Sequence, residues 1–175
     1  MQAPTHILTG ALIQRGFEPV RPRALGLALT AVCALLSHGL LDRLANLTYH
    51  LPDADFHSPV WIAYHASLLM LTIVFLYLWW KPYKWGIIFG CLPDVDWVFI
   101  HGQQIFHFQL AFYRQPHLHR LLGRILDAFP PFTALNRLPN LRHHAWAILP
   151  ELVLLATLLF ALVWLKPARP RSAKD

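Results

Sequence analysis

Three short stretches of this chain place ionisable side chains at spacings that could do chemistry. In Ser37-His38-Gly39-Leu40-Leu41-Asp42, the histidine and the aspartate are four residues apart. On a helix they share one face, which suits two metal ligands, or a ligand and its hydrogen-bonding partner. A helix-end pair facing water has the same spacing. In Leu92-Pro93-Asp94-Val95-Asp96, two carboxylates lie two apart. A regular helix would send them to nearly opposite sides, but Pro93 removes a backbone donor and turns Leu92 away from helical angles. Such a break can aim both at one point, the arrangement that bridges a hard or borderline metal. An N-cap role would account for Asp94 but leave Asp96 unexplained. The third stretch, Thr5-His6-Ile7-Leu8-Thr9-Gly10, supplies His6. Imidazole with carboxylate suits zinc, iron or manganese, and an all-oxygen set would suit magnesium or calcium.

These residues sit in a chain that is otherwise strongly apolar. Of 175 residues, 56% are hydrophobic and only 14% charged, and the mean hydropathy is +0.41. That balance excludes disorder, a coiled coil and an ordinary soluble enzyme. Cys33 and Cys91 are too few for a disulfide scaffold or a four-cysteine zinc module. The net charge of +6 does not point to nucleic acid, because the basic residues flank apolar runs and form no stripe. An all-α integral membrane bundle is the expected class.

A span needs about 20 mainly apolar residues. Val60–Trp80 and Ala145–Leu165 qualify plainly, each followed by a lysine. Ala24–Leu41 and Lys84–Ile100 are shorter or interrupted, which gives about four spans. The stretch from Thr5 to Gln14 reads as a half-span or a buried helix, and no signal peptide is expected. Residues 1–166 then form one membrane-embedded domain, with a long outer segment at 101–144 and a polar tail at 167–175. In the short connections, Arg15, Arg21, Arg23, Lys81, Lys84, Lys166, Arg169, Arg171 and Lys174 fall on one side, against Arg43 alone on the other. The basic side is expected to be the inner one. All 11 histidines fall toward the outer face, together with Asp42, Asp53, Asp55, Asp94, Asp96, Asp127 and Glu151.

Within the outer segment, Leu118, Leu121, Leu122, Ile125, Leu126 and Phe129 recur at helical spacing after Pro116. They predict an amphipathic helix in the membrane interface. Arg120 and Arg124 share its polar face and either anchor anionic lipid or hold a substrate phosphate. His117, His119, His143 and His144 are further candidate ligands.

Thr-His-Ile-Leu-Thr-Gly, Leu-Pro-Asp-Val-Asp preceded by Gly86 and Gly90, and Ser-His-Gly-Leu-Leu-Asp resemble the motifs of the membrane-bound metal-dependent hydrolases. These are small bacterial inner-membrane proteins related to zinc-dependent phospholipase C-like proteins. The resemblance implies ligand roles for His6, His38, Asp42, Asp94 and Asp96, and a divalent metal, zinc foremost. It also implies a bacterial inner membrane, with the site facing outward.

The expected activity is hydrolysis of an ester or phosphoester in a lipid or amphipathic substrate. The metal would lower the pKa of a bound water to about 7. Asp96 would orient that water, His119 or His101 would protonate the leaving group, and Arg120 and Arg124 would hold an anionic headgroup. The competing expectation is a non-enzymatic metal-binding or proton-relaying membrane protein, or a subunit of a complex.

Overall fold

The computed structural model describes residues 1–51 and 55–164. Asp53, Lys166 and the basic tail at 167–175 lie outside the described residues. The chain is helical throughout, and no strand occurs among the described residues. Its helices are α1 (Ala3–Phe17), α2 (Arg23–Leu44), α3 (Pro59–Cys91), α4 (Val95–Ile105), α5 (His117–Asp127), a single turn α6 (Pro130–Thr133) and α7 (Ile148–Trp164).

Three helical runs are long and apolar enough to cross a membrane: Arg23–Leu47, Pro59–Gln103 and Ala145–Trp164. Their large apolar side chains face outward. Leu69, Met70, Ile73 and Tyr77 on α3, and Leu149, Val153, Phe160 and Val163 on α7, are all more than half exposed. In water that surface would be a severe liability, whereas hydrocarbon is its natural solvent.

The expected spans Val60–Trp80 and Lys84–Ile100 form one helical run, with a bend at Tyr83 beside Pro82. The proline ring and its missing amide hydrogen account for the bend. Tyr64, near the start of α3, bonds Glu151 of α7, and Glu151 also binds Thr5 of α1. Beyond the bend, the Pro82 carbonyl accepts from Gln14, and Gly86 and Gly90 lie against Gly10 and His6. The chain therefore bends back along α1 toward the end from which α3 set out. Helix α7 runs parallel to α1, since Thr5 meets Glu151 and Arg15 reaches the Leu162 carbonyl. Arg15, Arg21, Arg23, Lys81 and Lys84 thus gather at one end of the bundle, and His6, His38 and Asp42 at the other.

Helix α1 is the buried helix of the two options. Pro4, Thr5, His6, Ile7, Leu8, Gly10 and Ala11 are covered, and Ile7, Leu8 and Ala11 pack with Tyr64, Leu68, Phe75, Ile87, Leu155 and Leu162. It approaches α3 so closely that a Cβ on Gly10 or Gly86 would overlap the other's carbonyl. Helix α5 docks on α2 in the same manner. A Cβ on Gly39 would lie 2.8 Å from Leu126 Cδ1 and 3.3 Å from Leu122 Cβ. Only Leu122 and Leu126 of the expected amphipathic face are buried, while Leu121, Ile125 and Phe129 turn outward.

Replacing Gly86 by alanine should therefore destabilise the protein by about 3 kcal/mol, because backbone rather than a flexible side chain must move. Gly16→Ala, whose Cβ meets nothing within 4 Å, should be neutral or stabilising by up to about 1 kcal/mol. Unfolding in detergent, monitored by circular dichroism, measures both.

Candidate metal centre

The elements that meet at the histidine end contribute their side chains through different local devices, with two from α2. His38 lies near the end of α2 and is fully buried. Its Nδ1 is 2.7 Å from the Gly90 carbonyl, just before the chain tightens into a 3-10 turn at Leu92–Asp94. A carbonyl can only accept, so Nδ1 carries a proton, and in the neutral ring Nε2 keeps its lone pair. That nitrogen lies 3.2 Å from Asp42 Oδ2, one turn further along α2, and 3.6 Å from Asp94 Oδ1.

His119 sits in the first turn of α5. Asp96 Oδ2 accepts its backbone N–H at 3.0 Å and faces its Nδ1 at 3.1 Å. One fully buried carboxylate thus satisfies an orphan amide at the start of α5 and fixes the ring. The Trp97 indole donates to His119 Nε2 at 3.1 Å, which requires that this nitrogen also carry no proton. His119 Nε2 lies 3.2 Å from His38 Nε2, 3.4 Å from Asp42 Oδ2 and 3.9 Å from Asp94 Oδ1.

With both rings neutral, the Nε2 atoms of His38 and His119 therefore face each other and carboxylate oxygens of Asp42 and Asp94. An ion in tetrahedral coordination with bonds of about 2.0–2.1 Å has ligand-to-ligand edges of about 3.3 Å. The five separations given above run from 3.2 to 3.9 Å. His38, Asp94 and His119 could hold a metal ion, and so could the adjoining group of His6, His38 and Asp42. His6 stacks on His38 with ring centroids 4.0 Å apart, and its Nε2 is 3.6 Å from Asp42 Oδ1. Both of its ring nitrogens are buried without a hydrogen-bond partner among the described residues, as a ligand awaiting an ion would be.

Glu151 holds the N-terminal helix in this place. Fully buried in α7, it accepts from the Gln2 amide at 3.1 Å and the Thr5 hydroxyl at 3.0 Å through Oε1, and from the Tyr64 hydroxyl at 2.8 Å through Oε2. Three donors offset the cost of burying its charge, and they tie α1, α3 and α7 together one residue from His6.

The structure thus brings together His6, His38, Asp42, Asp94 and Asp96, but gives Asp96 a different place from the one expected. Its Oδ2 lies behind the His119 ring, and its Oδ1 is buried with no hydrogen-bond partner among the described residues. His119, expected as a proton donor, turns its Nε2 into the ligand group. His101 stacks on Trp97 and lines the cavity beside His119. Arg120 and Arg124 are exposed on α5, and neither lines the cavities that open onto His119.

The arginines on those walls are Arg43 and Arg142, which the spacing patterns did not single out. The Arg142-His143-His144 run was the available signal. Trp97 was also missed, although it directly follows Asp96. Near the cavity, burial and then the neighbouring cationic groups, Arg142 among them, push the His50 imidazole below its ordinary pKa. Comparison with protein-family models, curated proteins and solved structures finds no match.

Elemental analysis after desalting separates the two roles. His38→Ala and His119→Ala should each lose stoichiometric metal. Asp96→Asn should keep the stoichiometry at saturation but bind about 10–100-fold more weakly, as for other partners that orient a ligand imidazole.

Proposed function

We propose that this chain is a multi-pass protein of a bacterial inner membrane that hydrolyses an ester or phosphoester of a lipid or amphipathic substrate. On this reading a divalent metal, zinc first and manganese or iron after it, is held by His38, Asp42, Asp94 and His119, with His6 beside them. One observation carries the proposal: the unprotonated nitrogens of His38 and His119 face each other at 3.2 Å between two carboxylates. Such a set calls for a proton or a metal cation within it, and a metal can engage both rings at once. Two imidazoles and two carboxylates at near-tetrahedral separations favour zinc over magnesium or calcium. The resemblance of the three motifs to the membrane-bound metal-dependent hydrolases supports the hydrolytic reading.

The bound ion would supply Lewis acidity, which acidifies water and polarises the bond under attack. The chain's own groups do the rest. Asp94 is the most exposed of the four, with its side chain 40% accessible, and it faces the side where a cavity of about 580 Å³ opens. Substrate enters there, between Asp94 and His101. Because His119 Nε2 is turned into the ligand group, His101 is the group left to give a proton to the leaving oxygen. Asp96 keeps the His119 proton on Nδ1.

The bend at Tyr83 supports a count of four spans, two of them from the single helical run. The basic end of the bundle supports an outward-facing site. With α5 presenting Leu121, Ile125 and Phe129 outward, the region around the site suits a membrane interface, where an amphipathic substrate would lie.

Incubating metal-loaded protein with a panel of phospholipids and chromogenic esters tests the activity. Turnover should fall at least 100-fold in Asp94→Ala. If wild type turns over no substrate faster than that variant, with metal confirmed in the wild type, the site holds metal without hydrolysis.

A further inference from the structure

The cavity beside His119 has one wall that the metal site does not use. Its arginine is Arg142, which also lines an adjoining cavity of about 290 Å³ together with Asp42, Arg43 and Asn136; the Met1 ammonium on the larger cavity is taken up by Asp42 at 3.1 Å. The two arginines of that smaller cavity differ in kind. Arg43 is committed: it donates to the Phe132 carbonyl at 2.7 Å, the Gly123 carbonyl at 3.1 Å and Asp127 at 2.8 Å. It serves as a clamp for the outer segment.

Arg142 has no such partners. Its Nε is buried without a hydrogen bond, and no ion pair holds its guanidinium among the described residues. Its backbone, by contrast, is fixed. The His50 amide donates to the Arg142 carbonyl at 3.1 Å, the Arg142 amide to Asn140 Oδ1 at 3.3 Å, and the preceding Leu141 amide to the Asn46 carbonyl at 2.7 Å. A half-buried cation fixed at its backbone, with its Nε unpartnered among the described residues, is suited to take an anion. The guanidinium fork matches two oxygens of a phosphate.

We infer that Arg142 binds a phosphate group of the substrate, so that the bond hydrolysed belongs to a phosphoester lying between the His38–His119 pair and Arg142. This rests on the metal-site reading above for its reaction, but the phosphate contact can be tested without it. The site takes a phosphate whether it is free or belongs to a lipid headgroup. Arg120 and Arg124 have no part in it.

The test uses wild-type protein in detergent, with metal content measured in the same samples. Phenylglyoxal labels accessible arginines, and mass spectrometry reads each site. Inorganic phosphate and dioctanoyl phosphatidic acid are each added, with dioctanoylglycerol as the control lacking phosphate. Labelling of Arg142 should fall at least tenfold with either phosphate compound and not with dioctanoylglycerol, while Arg120 and Arg124 stay labelled. Protection by both identifies the phosphate itself as the ligand; protection by the lipid alone assigns it to the headgroup. In parallel, Arg142→Gln should weaken phosphate binding at least tenfold by calorimetry with metal content unchanged, and Arg142→Lys should weaken it less.

Undiminished labelling of Arg142 under both compounds overturns the inference, and so does full phosphate affinity in Arg142→Gln. Wild-type protein without metal would sink the metal-site reading alone, because protection of Arg142 is then read in the metal-free protein.

Discussion

His38 and His119 commit their Nδ1 protons, one to a backbone carbonyl and one to Asp96, so in the neutral rings their Nε2 atoms meet as acceptors, that of His119 also facing the Trp97 indole. At 3.2 Å, with carboxylates on either side, that contact calls for a proton or a cation to complete it. Holding it open takes rigidity, and the rest of the histidine end supplies it. Gly39 lets α5 press onto α2 and so sets His119 against His38. Gly10, Gly86 and Gly90 let α1 lie against the returning half of α3, which brings the Gly90 carbonyl and His6 to the same place. At Gly10 and Gly86 a side chain would force backbone atoms to yield, whereas at Gly39 it would crowd the Leu122 and Leu126 side chains.

The same end of the bundle solves a second electrostatic problem. A buried carboxylate in a helix suited to a membrane is expensive, and Glu151 is tolerated because three donors from two other helices satisfy it. Those donors include the amide of Gln2 and the hydroxyl of Thr5, which flank the first turn of α1. The polar groups near the site therefore form two connected sets, one that assembles the helices and one left with acceptors facing each other.

Much of this was legible in the sequence. The spacing of His38 and Asp42 on one helix face, the break at Pro93 and the apolar runs all correspond to described elements. The role of His119 was harder to read, because its ring meets His38 through the docking of α5 on Gly39, a contact 81 residues apart in sequence that no local spacing encodes. Asp96 sits beside Asp94 in the chain, yet its partner is the start of α5, so the pair that looks like a bridging unit divides between two jobs. Arg142 was invisible for a related reason. Many arginines flank apolar runs here, and only the tertiary contacts show that Arg43 is paired while the Nε of Arg142 has no partner among the described residues.

The central claim is that a cation belongs between the two Nε2 atoms. X-ray absorption spectroscopy on zinc-loaded, detergent-purified protein tests it most directly. The account predicts a nitrogen and oxygen shell at about 2.0–2.1 Å, with the multiple scattering of two imidazoles and loss of one of them in His119→Ala. An all-oxygen shell, or a spectrum that His119→Ala leaves unchanged, would contradict it.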